Sequence, residues 1–219
     1  DENDLYELTR SVDWPQWITT EHTLRVDTTA QRSPLKSLNF AALRIKDAVC
    51  DAMRDATGER PSVDTRHPDL PLMLHVGAER ASLYVDTSGE PLFKRGLRRA
   101  QTEAPLREIL AAGLLTLSGW TPDHTLLDPM CGGGTILLEA ALIARNVPPG
   151  LGRRFAFERF NHFDSHTWRD LCDAGRARQR RERIGTIHGS DRDGSALQAA
   201  RANLEAAGLA QDVTLTQAD

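Results

Sequence analysis

Residues 126–144 read LLDPMCGGGTILLEAALIA, and their order decides the fold. A short apolar run closes on Asp128, three glycines follow at 132–134, and a helical apolar pattern begins at Thr135. TLLD (125–128) is therefore a short strand and the glycines a tight turn. Residues 135–146 are then a helix with Ile136, Leu137, Ala140, Ile143 and Ala144 facing inward. An irregular segment rich in Arg and aromatic residues covers 147–183, and IGTIHGSD (184–191) is a second strand. Asp193 is placed to cap the helix that follows, which stops at Gly208, and DVTLTQAD (212–219) is a third strand. The order β-α-β-α-β predicts parallel pairing through right-handed crossovers, which is half of a doubly wound sheet.

Working backwards, EPLFKRGLRRAQTEAPLREILAAGLLTLSGW (90–120) joins this half to a different kind of unit. Leu106, Ile109, Leu110, Gly113, Leu114 and Leu117 share one helical face, with Gly119 as the stop. Before it, HTLRVDT (22–28) alternates as a half-buried strand. The segment 33–58 has Phe40, Leu43, Val49, Ala52, Met53 and Ala56 near helical spacing and Gly58 as terminator. Residues 70–89 read as two strands around a turn near 77–80. The expected organisation is a small α+β domain over 1–91 and the first three strands of an α/β domain over 92–219.

Composition narrows the class. The 219 residues are 40% hydrophobic and 26% charged, which is ordinary for a globular protein. No run of about 18 apolar residues exists, so a membrane span is excluded. The acidic start DENDLYEL has no signal-peptide pattern. Three scattered cysteines, Cys50, Cys131 and Cys172, form no C-x-x-C pair, so neither a disulfide framework nor a metal site is expected and a cytoplasmic location fits. The net charge of −4 leaves only local basic clusters as an electrostatic sign of nucleic acid.

In such sheets ligands sit beyond the carboxyl ends of the strands, where Asp128, Asp191 and Asp219 stand. The loop PMCGGG lets backbone N–H groups and a helix N-terminus approach a ligand without side chains in the way. A carboxylate after the second strand can accept from ribose hydroxyls, and one after the third from an adenine amino group. A dinucleotide site would need G-x-G-x-x-G with its acid about 20 residues on. A phosphate loop would need G-K-[ST], and GGGTI lacks the lysine. An acidic loop end repels phosphate and suits the ammonium group of S-adenosylmethionine.

DPMCGGGT (128–135) resembles the first motif of amino-methylating S-adenosylmethionine-dependent methyltransferases, with Gly133 where serine is usual. FKRGLRRAQTEAPLREILAAGLL (93–115) resembles the basic lead-in helix of the THUMP-linked members. RIKDAVCDAM, PSVDTRHPDLPLMLHV and LYVDTSG resemble the later part of a THUMP domain. With NVPPGLGRRFAFERF (146–160), the segments run in the order of the bacterial large-subunit rRNA guanine-N2 methyltransferases, the RlmL type. That resemblance implies S-adenosylmethionine as cofactor. It assigns Asp128, Met130, Cys131, Gly132 and Gly134 to the methionine end, Asp191 to the ribose, Asp219 to the adenine, and Pro105 and Leu106 to the lead-in contact. Read for itself, Cys131 is equally a small residue packed at the turn.

The family's catalytic N-P-P-Y motif occurs nowhere in the 219 residues, so no catalytic residue is assigned here. The chain is expected to be a fragment, poorly soluble or weak in cofactor binding, because TLLD would present an open edge. Lys94, Arg95, Arg98 and Arg99 are candidates for RNA phosphates or a solvated loop. RARQRRER (176–183) is either a second RNA footprint or the charged solvent face of a helix. Trp14, Trp17, Trp120 and Trp168 are read as packing residues, and His162, His166 and His188 as incidental. The expected partner is large-subunit rRNA; some relatives also carry a guanine-N7 methyltransferase domain, fused or separate. The rivals are an N6-adenine DNA methyltransferase, a non-catalytic RNA-binding module and a nicotinamide-dependent dehydrogenase.

Overall fold

The computed structural model describes residues 1–97, 99–100, 105–181 and 185–219. The chain divides into two compact units, one of residues 1–90 with 154–165, the other of 91–153 with 166–219.

The first unit carries a four-stranded sheet in the order β2-β1-β3-β4, formed by β1 (Thr23–Ala30), β2 (Ser62–Val63), β3 (Leu70–Val76) and β4 (Ala81–Val85). β1 runs parallel to β3, and β3 pairs antiparallel with β4 across a turn closed by Gly77 N–H to the Arg80 carbonyl (2.8 Å). α1 (Glu2–Arg10) and α2 (Leu38–Thr57) complete the unit. Ser37 accepts from Phe40 N–H to cap α2, and Gly58 ends it at φ +86°, a conformation that costs glycine little. The face of α2 that enters the core is Ala41, Ile45, Ala48, Val49 and Met53, whereas Phe40 and Leu43 are exposed.

Segment 154–165 belongs to this unit because its aromatic residues complete the core. Phe160 is buried with Trp14, Ile45 and Leu72, and Phe157 packs beside them. Phe157 N–H donates to the Thr87 carbonyl (3.2 Å) and Asn161 N–H to that of Trp17 (2.9 Å).

The second unit carries three parallel strands in the order β5-β6-β7: β5 (Leu126–Asp128), β6 (Ile187–Asp191) and β7 (Val213–Gln217). Its helices are α3 (Glu108–Leu117), α4 (Thr135–Ala144), α5 (Ser165–Ala177, whose first residue belongs with the first unit) and α6 (Gly194–Ala206). The predicted β-α-β-α-β order holds, and Asp193 caps α6 by accepting from Ser195 N–H (2.8 Å). The region read as irregular contains α5, a 13-residue helix with Gly175 buried.

Two helix faces differ from expectation. α4 is buried on nearly all sides, including Leu138, Glu139, Ala141 and Leu142, while Ile143 reaches solvent. α3 turns Ala111 and Leu115 inward, and the stripe Ile109, Leu110, Leu114 and Leu117 lies on the exposed side. Both helices are apolar around most of their circumference, so periodicity could not choose the buried face. Close packing did: small alanines let α3 approach α4.

Among the described residues, no helix is long and apolar enough to cross a membrane. Arg145 joins the end of α4 to the approach to β7. Its guanidinium bonds both carboxylate oxygens of Asp212, one at 2.7 Å, and donates to the Arg180 carbonyl (3.1 Å).

Candidate functional site

The site grows from the carboxyl ends of β5 and β6. Asp128 is the last residue of β5, in register with Gly189 of β6. The chain then turns through Pro129–Gly134, held by three backbone donors. Cys131 N–H bonds the Ser190 carbonyl (2.9 Å), Gly132 N–H bonds Asp191 Oδ2 (2.9 Å), and Gly134 N–H bonds the Cys131 carbonyl (2.8 Å). Asp191 therefore has two roles: it ends β6 at the ligand side of the sheet and it clamps the glycine loop.

The two carboxylates are tuned in opposite directions. Asp193 N–H (3.0 Å) and Gly132 N–H both donate to Asp191 and hold its carboxyl below the usual range. Burial pushes Asp128 up, opposed by the Met130 N–H (3.3 Å) and reinforced by the negative charge of Asp191. A cation arriving at the loop would stabilise the ionised Asp128 and offset the Asp191 repulsion that adds to its burial, while a phosphate would add to that repulsion.

Gly134 sits at φ +77° as the residue before α4, and a Cβ there would lie 2.9 Å from the Ala200 Cβ. Gly132 is also left-handed, at φ +53°, but its added Cβ would meet open space. The two glycines thus serve different needs: Gly134 lets α4 close on α6, and Gly132 keeps the loop surface bare. Of the two readings of Cys131, the geometry favours packing. Its side chain is buried in the core of the unit, and burial, with Asp128 and Asp191 nearby, pushes its thiol up to about 11.

Two residues that position the loop escaped the sequence reading. Gly189 lies in mid-β6, where a Cβ would fall 2.2 Å from Leu137 Cδ1 and 3.2 Å from Cys131 Sγ. A glycine inside a strand was the available signal of close approach.

Asn203 of α6 is 3% exposed. Its Oδ1 accepts from Arg99 N–H (2.8 Å) and Ala100 N–H (2.9 Å), and its amide donates to the carbonyls of Ala100 (3.2 Å) and Gly133 (3.1 Å). One buried side chain thereby ties the lead-in to the glycine loop. Its only sequence trace is a polar residue at an inward position of α6.

The remaining predicted residues distribute as follows. Met130 tops the loop, 84% exposed. Asp219 is exposed two residues beyond β7, next to Ala218, whose N–H donates to the Asp191 carbonyl (3.2 Å). Pro105 and Leu106 lead into α3.

In the basic segment, Lys94 and Arg99 are exposed and Arg98 lies outside the described residues. Arg95 is turned inward, its guanidinium paired with the nearly inaccessible carboxylate of Glu139 on α4. That pair anchors the lead-in to α4.

These residues fit S-adenosylmethionine on chemical grounds. The loop carries a bare glycine surface, Asp128 gains from a nearby cation, and among the described residues each Asp191 oxygen accepts one backbone bond, which leaves lone pairs for hydroxyl donors.

A parallel sheet with a clamped glycine loop and acids at successive strand ends defines the class: an α/β methyltransferase fold, in a chain that also carries a smaller α+β unit. The solved structures agree. The crystal structure of SMU.472 complexed with SAH is 28% identical, with a TM-score of 0.88, over all of this chain and 58% of that one. A "predicted N6-adenine-specific DNA methylase" from Listeria monocytogenes str. 4b F2365 is 29% identical, with a TM-score of 0.90 and the same coverage.

Residues 95–219 match the family described as RMKL-like, methyltransferase domain, and the chain belongs to it. Residues 1–86 match the THUMP domain. The ribosomal RNA large subunit methyltransferase K/L of Syntrophotalea carbinolica is 42% identical over 219 aligned residues, covering 95% of this chain and 30% of that protein. The chain spans about half the length, or less, of the curated relatives it matches.

Proposed function

We propose that this chain is the cofactor-holding and RNA-gripping part of a cytoplasmic methyltransferase that methylates the exocyclic N2 of a guanine in large-subunit rRNA. The observation that carries the reading is the glycine loop clamped by Asp191 and faced by Asp128, in a chain that also matches the THUMP domain. S-adenosylmethionine, when bound, supplies an already activated methyl group.

The chain's own residues bind and orient. The loop from Asp128 to Gly134 receives the methionine end, with Met130 and Cys131 in its wall. Asp191 accepts from the ribose, Asp219 faces the adenine, and Pro105 and Leu106 close the lead-in side. Such a site works by alignment, since holding amine and methyl donor in line removes most of the entropic barrier. Lys94 and Arg99 are the exposed cations of the basic segment that would meet RNA phosphates. A guanine-N7 methyltransferase partner, fused or separate, is compatible with this role.

N6-adenine methylation of DNA is the second reading, favoured by the description of the Listeria monocytogenes structure. The THUMP match and the rRNA methyltransferase relative weigh towards RNA. Label transfer from methyl-tritiated S-adenosylmethionine by the full gene product separates them, with protein-free large-subunit rRNA and genomic DNA offered in parallel. Label in N2-methylguanosine is expected; label in N6-methyladenine from DNA would overturn the substrate.

A further inference from the structure

The first unit holds a cavity of about 310 Å³ whose walls come from two distant stretches of sequence. One is the loop after β2, with Arg66 and His67. The other is the segment 154–163, with Arg154, Phe155 and Phe163, which lies within the methyltransferase-family match yet folds with the first unit.

Both walls are held by local hydrogen bonds and ring contacts. Asp64 Oδ1 accepts from Arg66 N–H (2.7 Å) and His67 N–H (3.0 Å), and Arg25 donates to the Thr65 carbonyl (3.0 Å). On the other side, Phe155 stacks on Phe157 (centroids 5.2 Å apart), and Phe157 contacts Phe163 (5.9 Å). Arg159 donates to Asp69 Oδ1 (2.5 Å).

The charges divide into spent and available ones. Arg25 is paired with Asp27 and Arg159 with Asp69, while Glu158 accepts from Phe155 N–H (2.7 Å) and Glu90 also lines the cavity. Among the described residues, the exposed guanidiniums of Arg66 and Arg154 have no protein partner.

We infer that this cavity takes one nucleotide of single-stranded RNA, its base against the phenylalanine wall and its phosphates on Arg66 and Arg154. A preformed aromatic wall rimmed by unengaged guanidiniums is the chemistry that recognises an unstacked base and its backbone. A segment encoded within the methyltransferase region therefore completes the RNA grip of the THUMP unit. The inference rests on the RNA reading above.

The test is binding of a fluorescein-labelled 12-nucleotide single-stranded RNA to the chain and to its R66E/R154E variant across a salt series. Because neither guanidinium has a protein partner among the described residues, the variant should melt with the wild type. Its affinity should fall at least tenfold, and its log–log salt slope should shrink by about 1.4, the value for two lost phosphate contacts on a single strand. Photocrosslinking with 4-thiouridine RNA should label the peptide containing Phe155 or Phe163, and free GMP should compete only at far higher concentration than RNA.

Unchanged affinity and slope in the variant, or crosslinks confined to other peptides, would overturn the cavity assignment and leave the methyltransferase reading intact. GMP competing as well as RNA would make it a free-nucleotide site. Wild-type chain that binds no RNA would sink both this inference and the RNA reading.

Discussion

Replacing Asn203 with leucine should uncouple the lead-in from the glycine loop. Leucine shares the branched shape of asparagine, although bulkier, but makes none of its four hydrogen bonds, which run 2.8–3.2 Å to Arg99 N, Ala100 N, Ala100 O and Gly133 O. A buried backbone group left unpaired costs about 1–3 kcal/mol. Arg99 is exposed and Ala100 half-buried, so those groups can recover water if the lead-in peels away, whereas the Gly133 carbonyl stays in the loop. The net loss is then about 2–4 kcal/mol rather than the sum of four penalties. For a unit of this size that lowers Tm by about 10 °C.

Asn203→Asp sharpens the reasoning. A carboxylate keeps both N–H partners but faces two carbonyl oxygens, so its folded-state pKa is raised above the unfolded value. Its stability deficit should therefore grow as pH rises through the unfolded carboxylate pKa and shrink at acid pH, where protonation restores a donor. Melting curves of wild type and both variants between pH 4.5 and 8 decide it. Leucine tolerated within 2 °C, or an aspartate variant tracking wild type at every pH, would refute the tether.

Other outcomes follow from the same geometry. Gly134→Ala combines a left-handed φ of +77° with a Cβ 2.9 Å from Ala200, so it should lose about 2–4 kcal/mol; Gly132→Ala, with open space around it, should lose only the backbone cost of about 1–2 kcal/mol, as chemical denaturation can show. Arg145→Ala strands the nearly inaccessible Asp212 carboxylate and should cost about 3–5 kcal/mol in the same assay. Iodoacetamide should label half-exposed Cys172 before buried Cys50 and Cys131, whose thiols burial holds protonated; mass spectrometry of early time points checks the order.

The lowered pKa of Asp191 contributes stability that is present above the unfolded carboxylate pKa and lost as pH falls through the folded one. The deficit of Asp191→Asn should accordingly be full at pH 7 and vanish in acid. Asp128 has the opposite sign, so S-adenosylmethionine should bind more tightly as pH rises through its raised pKa, measurable by calorimetry as proton release on binding.

The sequence by itself determined the β-α-β-α-β order of the second unit's sheet, the stops at Gly58 and Gly208, the cap at Asp193 and the strand ends carrying Asp128 and Asp191. These depend on local chemistry: glycine where φ turns positive, a short acceptor at a helix start, an apolar run ended by a charge. Tertiary structure alone decided which face of α3 and α4 is buried, since both are apolar nearly all round and only the fit of alanine against helix could choose. It also turned Arg95 from a candidate for RNA into the partner of Glu139, and carried 154–165 into the first unit through Phe157 and Phe160. It made a single asparagine the tether of two loops. Such pairings join residues dozens of positions apart, and no local periodicity records which of them will meet.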